Sequence, residues 1–174
     1  KNLFYAYHLR GTHKTETLEL IEIYSRIEAW YSMAVAVKTY DLTFPEFLEQ
    51  DDPYLSAEGI YHVLLDKPIA YDLVLQPNEN FLFLTGANMA GKSTLMKSIG
   101  IGMYLAHMGF PVAAERMQFS VREGLYSSIN VSDNIHLGYS HFYGEVVRVK
   151  QAALAAATGK RLLLMFDELF KGTN

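Results

Sequence analysis

The sequence predicts a layered α/β core, incomplete at its end and preceded by a helical segment, with the change of pattern near residue 58. Three observations carry that prediction. Apolar residues recur at helical spacing from about residue 15 to 38. From Gly59 onward, short apolar runs of strand length alternate with turn residues and helix-like stretches. Two of those runs end in groups suited to an anion and a cation: one leads into a glycine-containing loop at 86–94, the other into Asp167-Glu168.

In chain order, Leu20, Ile23, Ile27, Trp30, Ala34 and Val37 fall at alternating spacings of three and four, so one face of the first helix is apolar. Leu18, Ile21, Tyr24 and Tyr31 widen the stripe, which favours packing within a helical domain over a narrow coiled-coil seam. Leu42 to Glu58, with Pro45, Pro53 and several acids, reads as an irregular crossing segment. Ile60 to Leu65 and Tyr71 to Leu75 are β-type segments, and Pro77-Asn78-Glu79-Asn80 turns the chain into the apolar run Phe81-Leu82-Phe83-Leu84. A helix is expected from near Ser93, a strand over 125–129, a helix over 144–158 and a buried parallel strand over Leu162 to Phe166. No internal repeat or low-complexity tract is visible.

Gly86-Ala87-Asn88-Met89-Ala90-Gly91-Lys92-Ser93-Thr94 fulfils the spacing G-x-x-x-x-G-K-[ST]. Gly86 and Gly91 let the backbone bend so that successive N–H groups converge, and the helix that follows turns the positive end of its dipole to the same point. Lys92 adds a point charge suited to β- and γ-phosphates, and the Ser93 hydroxyl is the expected Mg²⁺ ligand. A chance match in a turn is the alternative, and a strand over Phe81 to Leu84 before the loop with a helix after it weighs against that.

Asp167 and Glu168 follow the second run directly. Beside a phosphate loop, Asp167 is expected to hold the metal, directly or through water, and Glu168 to act as general base on an attacking water. Two adjacent acids can also be the solvated end of a strand. Their pairing with the loop favours hydrolysis of ATP to ADP, and a kinase would need a separate acceptor site.

The stretches Thr85 to Thr94 and Phe166-Asp167-Glu168-Leu169-Phe170-Lys171-Gly172-Thr173 closely resemble motifs of the MutS family of DNA mismatch repair ATPases, which belong to the ABC-type superfamily. Phe110 to Glu115 and Ser140-His141-Phe142-Tyr143-Gly144-Glu145 fall where that family has its post-helix segment and its signature-like stretch. The resemblance covers about residues 61–174. It implies an ABC-type P-loop ATPase domain over 59–174, cut short after its acidic strand, with 1–58 as the end of the helical lever and a connector. It further implies Mg²⁺-dependent ATP hydrolysis that switches a dimer with a second MutS-like subunit. Mismatched or otherwise structured double-stranded DNA would be bound by domains outside these residues, and Ser140 would reach the partner's nucleotide. Ala87 and Ala90 stand where the family usually has Pro and Gly, and His141 and Tyr143 replace its Thr and Met. Where the family has an aromatic that stacks on adenine, this chain reads Pro68-Ile69-Ala70-Tyr71-Asp72, and Tyr71 is a weak substitute.

Composition sets bounds on these readings. With 174 residues, half of them hydrophobic, the chain can bury one substantial core, and it is expected to be a fragment of a cytoplasmic protein. Without cysteine, neither a disulfide framework nor a Cys-based zinc site is available. His136 and His141, five residues apart, do not share a helix face and predict no metal site. The apolar stretch 99–114 is broken by glycines, His107 and Pro111, so no membrane span is expected. Fifteen Lys and Arg against nineteen Asp and Glu give a net charge of −4, which supplies no dense basic footprint for DNA. Two other functions fit the same residues: the ATPase of a MutS relative in another DNA transaction, and an interaction module that holds nucleotide without turnover.

Overall fold

A computed structural model describes residues 2–11, 13–129 and 141–169. The chain divides into two compact units, Lys1–Asp41 and Leu42–Asn174. The first holds α1 (Asn2–Arg10) and α2 (Lys14–Tyr40). Thr17 Oγ1 donates to the His13 carbonyl at 2.6 Å in the first turn of α2. The helix stops at Asp41, whose left-handed φ of 52° lets its N–H return to the Val37 carbonyl. The extent of α2 matches the apolar repeat read over 15–38, but the expected packing is not seen: no residue of α2 is buried, and Trp30 is 69% exposed. A nine-residue partner helix cannot cover so wide a stripe on a helix of 27 residues.

The second unit contains β1 (Glu46–Leu48), β2 (Leu55–Ile60), β3 (Tyr71–Leu75), α3 (Lys92–His107), β4 (Arg116–Ser120), β5 (Gly124–Ser128), α4 (His141–Ala157) and β6 (Leu162–Phe166). They form a four-stranded sheet in the order β1-β4-β2-β3 and a two-stranded parallel sheet β5-β6. In the larger sheet β2 runs antiparallel to both β3 and β4, while β1 lies parallel to β4. The result is a mixed α/β chain with small sheets.

One core ties both sheets to α3. Ile99, Met103 and Ala106 of α3 pack with Leu55, Ala57, Ile60, Leu73, Met117 and Phe119 of the larger sheet and with Met165 of β6. Two glycines permit the close approach. A Cβ on Gly102 would sit 3.4 Å from Ile60 Cδ1, whereas one on Gly100 would meet Met165 Cε at 2.7 Å. Two positions apart on a helix is just over half a turn, so α3 offers one side to each sheet.

Three sequence expectations need correction. The segment 42–58, read as irregular, supplies β1 and most of β2. Leu55 and Ala57 point inward around Ser56, a period-two signal too short to stand out beside Pro53 and its acidic neighbours. The strand expected over 60–65 ends at Ile60, because the Tyr61 N–H bonds the Ala113 carbonyl and the Leu65 N–H turns back to His62. The apolar run 81–84 forms no strand before the loop, and Phe81 and Phe83 are 81% and 78% exposed. Apolar character alone does not make a strand; a ladder needs a partner edge about 4.8 Å away.

Candidate functional site

The glycine-containing loop closes on itself at the start of α3. Gly86 has φ 152°, and Gly91, the residue that caps α3, has the left-handed φ of 91°. Between them the Ala90 N–H bonds the Ala87 carbonyl at 3.2 Å, and Met89 takes a positive φ of 67° with its side chain fully exposed. Asn88 lies in the same turn. Lys92, the first residue of α3, folds its ammonium back over the loop and donates to the carbonyls of Gly86 at 2.8 Å and Ala87 at 2.7 Å. A flexible cation therefore lies beside the unpaired N–H groups of a helix start, an arrangement that favours an anion. Thr94 accepts the Ser98 hydroxyl on its backbone carbonyl at 2.9 Å, which steadies the second turn.

The two sequence motifs meet. Ser93 Oγ donates to Asp167 Oδ2, joining residues 74 positions apart. Asp167 is held from behind as well, since its N–H bonds the Ser128 carbonyl at the end of β5 at 2.9 Å. The parallel register pairs Ser128 with Phe166, so both strands deliver their carboxyl ends to this point. Glu168 follows with φ 46°, left-handed and exposed. Such a backbone is costly for a residue with a Cβ and is concentrated at functional positions. A hydroxyl beside a carboxylate is a hard-oxygen pair that fits Mg²⁺, an ion that keeps several waters and takes few protein ligands. Among the described residues no group of three or more His, Cys, Asp or Glu converges.

Sequence reasoning missed the part played by β3. The Asp72 carboxylate accepts the Gly59 N–H at 2.7 Å, at the irregularity where the register between β2 and β3 shifts. Gly59 has φ 61°, and a Cβ there would lie 2.8 Å from Glu115 Cγ. With Asp72 pinned on one face, Tyr71 turns to the other. Its ring packs on the core, and its hydroxyl oxygen lies 2.8 Å from where a Cβ on Gly91 would be. No spacing rule could have found this approach.

Other features lie away from the loop. A cavity of about 170 Å³ is lined by Met103, Tyr104 and His107 at the far end of α3 and by Arg122, Glu123 and Leu163. There the Arg122 N–H donates to His107 Nε2 at 2.8 Å, so the Nδ1–H donates to the Met103 carbonyl. Burial, then the nearby Arg161 charge, lowers the pKa of the Arg122 guanidinium. Glu123 is shifted below the ordinary carboxylate value, chiefly by the backbone N–H of Arg161. Glu145 on α4 is buried, at 4% exposure. Ser140 and the segment 170–174, with the Lys171-Gly172-Thr173 part of the acidic motif, lie outside the described residues. No described helix is long and apolar enough to cross a membrane.

The fold and the meeting of the two motifs define a mixed α/β chain with a candidate anion site at the start of α3. Comparison with known proteins gives its relationship. MutS domain V matches residues 82–174. MutS protein homolog 4 of Homo sapiens is 30% identical over 173 residues, covering 89% of this chain and 18% of that protein. The DNA mismatch repair protein MutS of Staphylococcus haemolyticus is 32% identical over 176 residues, covering 95% of this chain and 19% of its own length. That of Lawsonia intracellularis is 30% identical over 162 residues, with coverages of 90% and 18%. This chain belongs to the MutS family, and it spans under a fifth of the length of these relatives.

Proposed function

We propose that this chain is part of the ATPase domain of a MutS-family protein, binding Mg·ATP and hydrolysing it to switch the conformation of a dimer that acts in DNA mismatch repair. The observation that carries the reading is the Ser93–Asp167 hydrogen bond, which brings the phosphate-loop sequence and the acidic strand end to one place.

The chain's own residues divide the work. Backbone N–H groups of 86–94, opened by Gly86 and Gly91, bind the phosphates, and Lys92 exchanges its carbonyl contacts for phosphate oxygens. Ser93 and Asp167 hold the magnesium. When bound, that ion supplies charge neutralisation at the phosphate oxygens. Glu168, immediately beyond, takes a proton from water as general base, and its exposed position leaves room for that water. With a net charge of −4, the chain leaves contact with DNA to other parts of the protein.

Equilibrium binding of a fluorescent ATP analogue tests the assignment, with Lys92→Ala as comparison. Loss of two charge-assisted hydrogen-bond donations predicts an affinity lower by about a hundredfold, with unfolding unchanged because Lys92 contributes little to the core. Equal affinity in both forms rejects the phosphate-loop reading. Phosphate release measured in parallel separates an ATPase from a module that only holds nucleotide.

A further inference from the structure

The Tyr71 hydroxyl stands over Gly91 at the mouth of the loop, 2.8 Å from the position a Cβ would take. Three features fix it there. The ring is anchored against the core, so the side chain has little freedom to swing away. Tyr71 pairs with Ile60 at the shifted end of the β2–β3 register, and the Asp72–Gly59 hydrogen bond locks that end. Gly91 lacks the Cβ that would push the hydroxyl out. Among the described residues no hydrogen bond engages that hydroxyl, and the backbone acceptors around it are taken: Lys92 holds the Gly86 and Ala87 carbonyls, and the Gly91 carbonyl takes the Leu95 N–H.

Resting on the nucleotide reading above, we propose that Tyr71 is a further binding residue of this site, donating its phenolic hydrogen to a phosphate oxygen of the nucleotide held at the start of α3. The contact comes from β3 and adds a neutral donor to a set otherwise made of backbone N–H groups and one ammonium. A phenol is well suited to the position. It reaches an anion without adding charge, and its ring seals the side of the loop against the core. The same geometry accounts for Gly91 in two ways: it needs φ 91°, and it needs the space that Tyr71 fills.

The variant Tyr71→Phe keeps the ring and removes only the hydroxyl. Binding of Mg·ATP, Mg·ADP and inorganic tripolyphosphate to the 174-residue chain is measured by calorimetry for the wild type, Tyr71→Phe and Lys92→Ala. A lost hydrogen bond to a charged group predicts affinity lower by about tenfold or more in Tyr71→Phe for all three ligands, with an unchanged melting temperature. Unchanged affinity in Tyr71→Phe, alongside a loss in Lys92→Ala, overturns the Tyr71 assignment and leaves the nucleotide reading intact. Weakening for ATP and ADP but not for tripolyphosphate also overturns it, because the contact would then be to base or ribose. Failure of the wild type to bind any of the three rejects the nucleotide reading itself.

Discussion

Ser93 on the first turn of α3 donates its hydroxyl hydrogen to Asp167 at the end of β6, across 74 positions of sequence. If these two oxygens hold the magnesium, Asp167→Asn should bind ATP with a much weaker dependence on Mg²⁺. The affinity gained on adding magnesium should fall by about tenfold or more, the scale of one charge-assisted contact. Ser93→Ala should lose less, since a hydroxyl contributes no charge. Titrations of nucleotide with and without a chelator read both effects, and an undiminished magnesium effect in Asp167→Asn would remove that residue from the metal site.

A second prediction concerns the frame around the loop. Gly59 combines φ 61° with a Cβ position 2.8 Å from Glu115 Cγ. Gly59→Ala should therefore lower stability by about 1–3 kcal/mol through backbone strain. Asp72→Ala leaves the Gly59 N–H without its acceptor and should cost about 1–3 kcal/mol. Because the two changes act on one hydrogen-bonded pair, the double variant should lose less than the sum. Urea unfolding of the four forms decides this, and full additivity would mean that the Asp72 contact contributes nothing to the bend.

Much of this architecture is legible in the sequence. Long patterns survived: α2 follows its three-four repeat, α3 starts where the glycine loop ends, and β6 is the apolar run before Asp167. Local sequence encodes these because each has a strong period or a steric requirement. What was lost depends on partners distant in the chain. Leu55 and Ala57 become strand residues because β4 and β3 lie on either side, and Phe81 to Leu84 do not because no strand among the described residues pairs with them. At the site, Lys92, Ser93 and Asp167 were named from motif spacing. The approach of Tyr71 to Gly91 is not legible in that way, because it follows from a β-sheet register at the Asp72–Gly59 bond.

Acidification offers a third test, at the edge of the smaller sheet. The Arg161 N–H donates to Glu123 Oε2 at 2.9 Å and depresses the carboxyl pKa below its ordinary 4.5. A depressed pKa in the folded state gives stabilisation that is present above the unfolded value and lost as pH falls through the folded one. Wild type should therefore exceed Glu123→Gln in melting temperature at neutral pH, and the gap should close on titration below 4.5. Added salt should narrow it too, since the group is exposed to solvent. A gap independent of pH would assign the difference to packing.

The last prediction addresses the dimer switch, in the full-length protein. Glu168→Gln keeps the shape of the side chain and removes only its basicity, so it should bind ATP and hydrolyse it far more slowly. If ATP drives subunits together, that variant should accumulate as an ATP-bound dimer. Ser140, by the family resemblance, reaches the partner's γ-phosphate from the start of the signature-like stretch that continues into α4. Adding Ser140→Ala to Glu168→Gln should then weaken ATP-dependent dimerisation by about tenfold, the loss expected for one hydrogen bond to a charged group, while binding at Lys92 stays intact. Sedimentation velocity with and without Mg·ATP measures the association, and nucleotide titration of the same samples measures the site. Should the double variant dimerise as well as Glu168→Gln alone, the replacement of the family's Thr and Met by His141 and Tyr143 marks a loss of the contact between subunits, and nucleotide would have to act on this protein from within a single subunit.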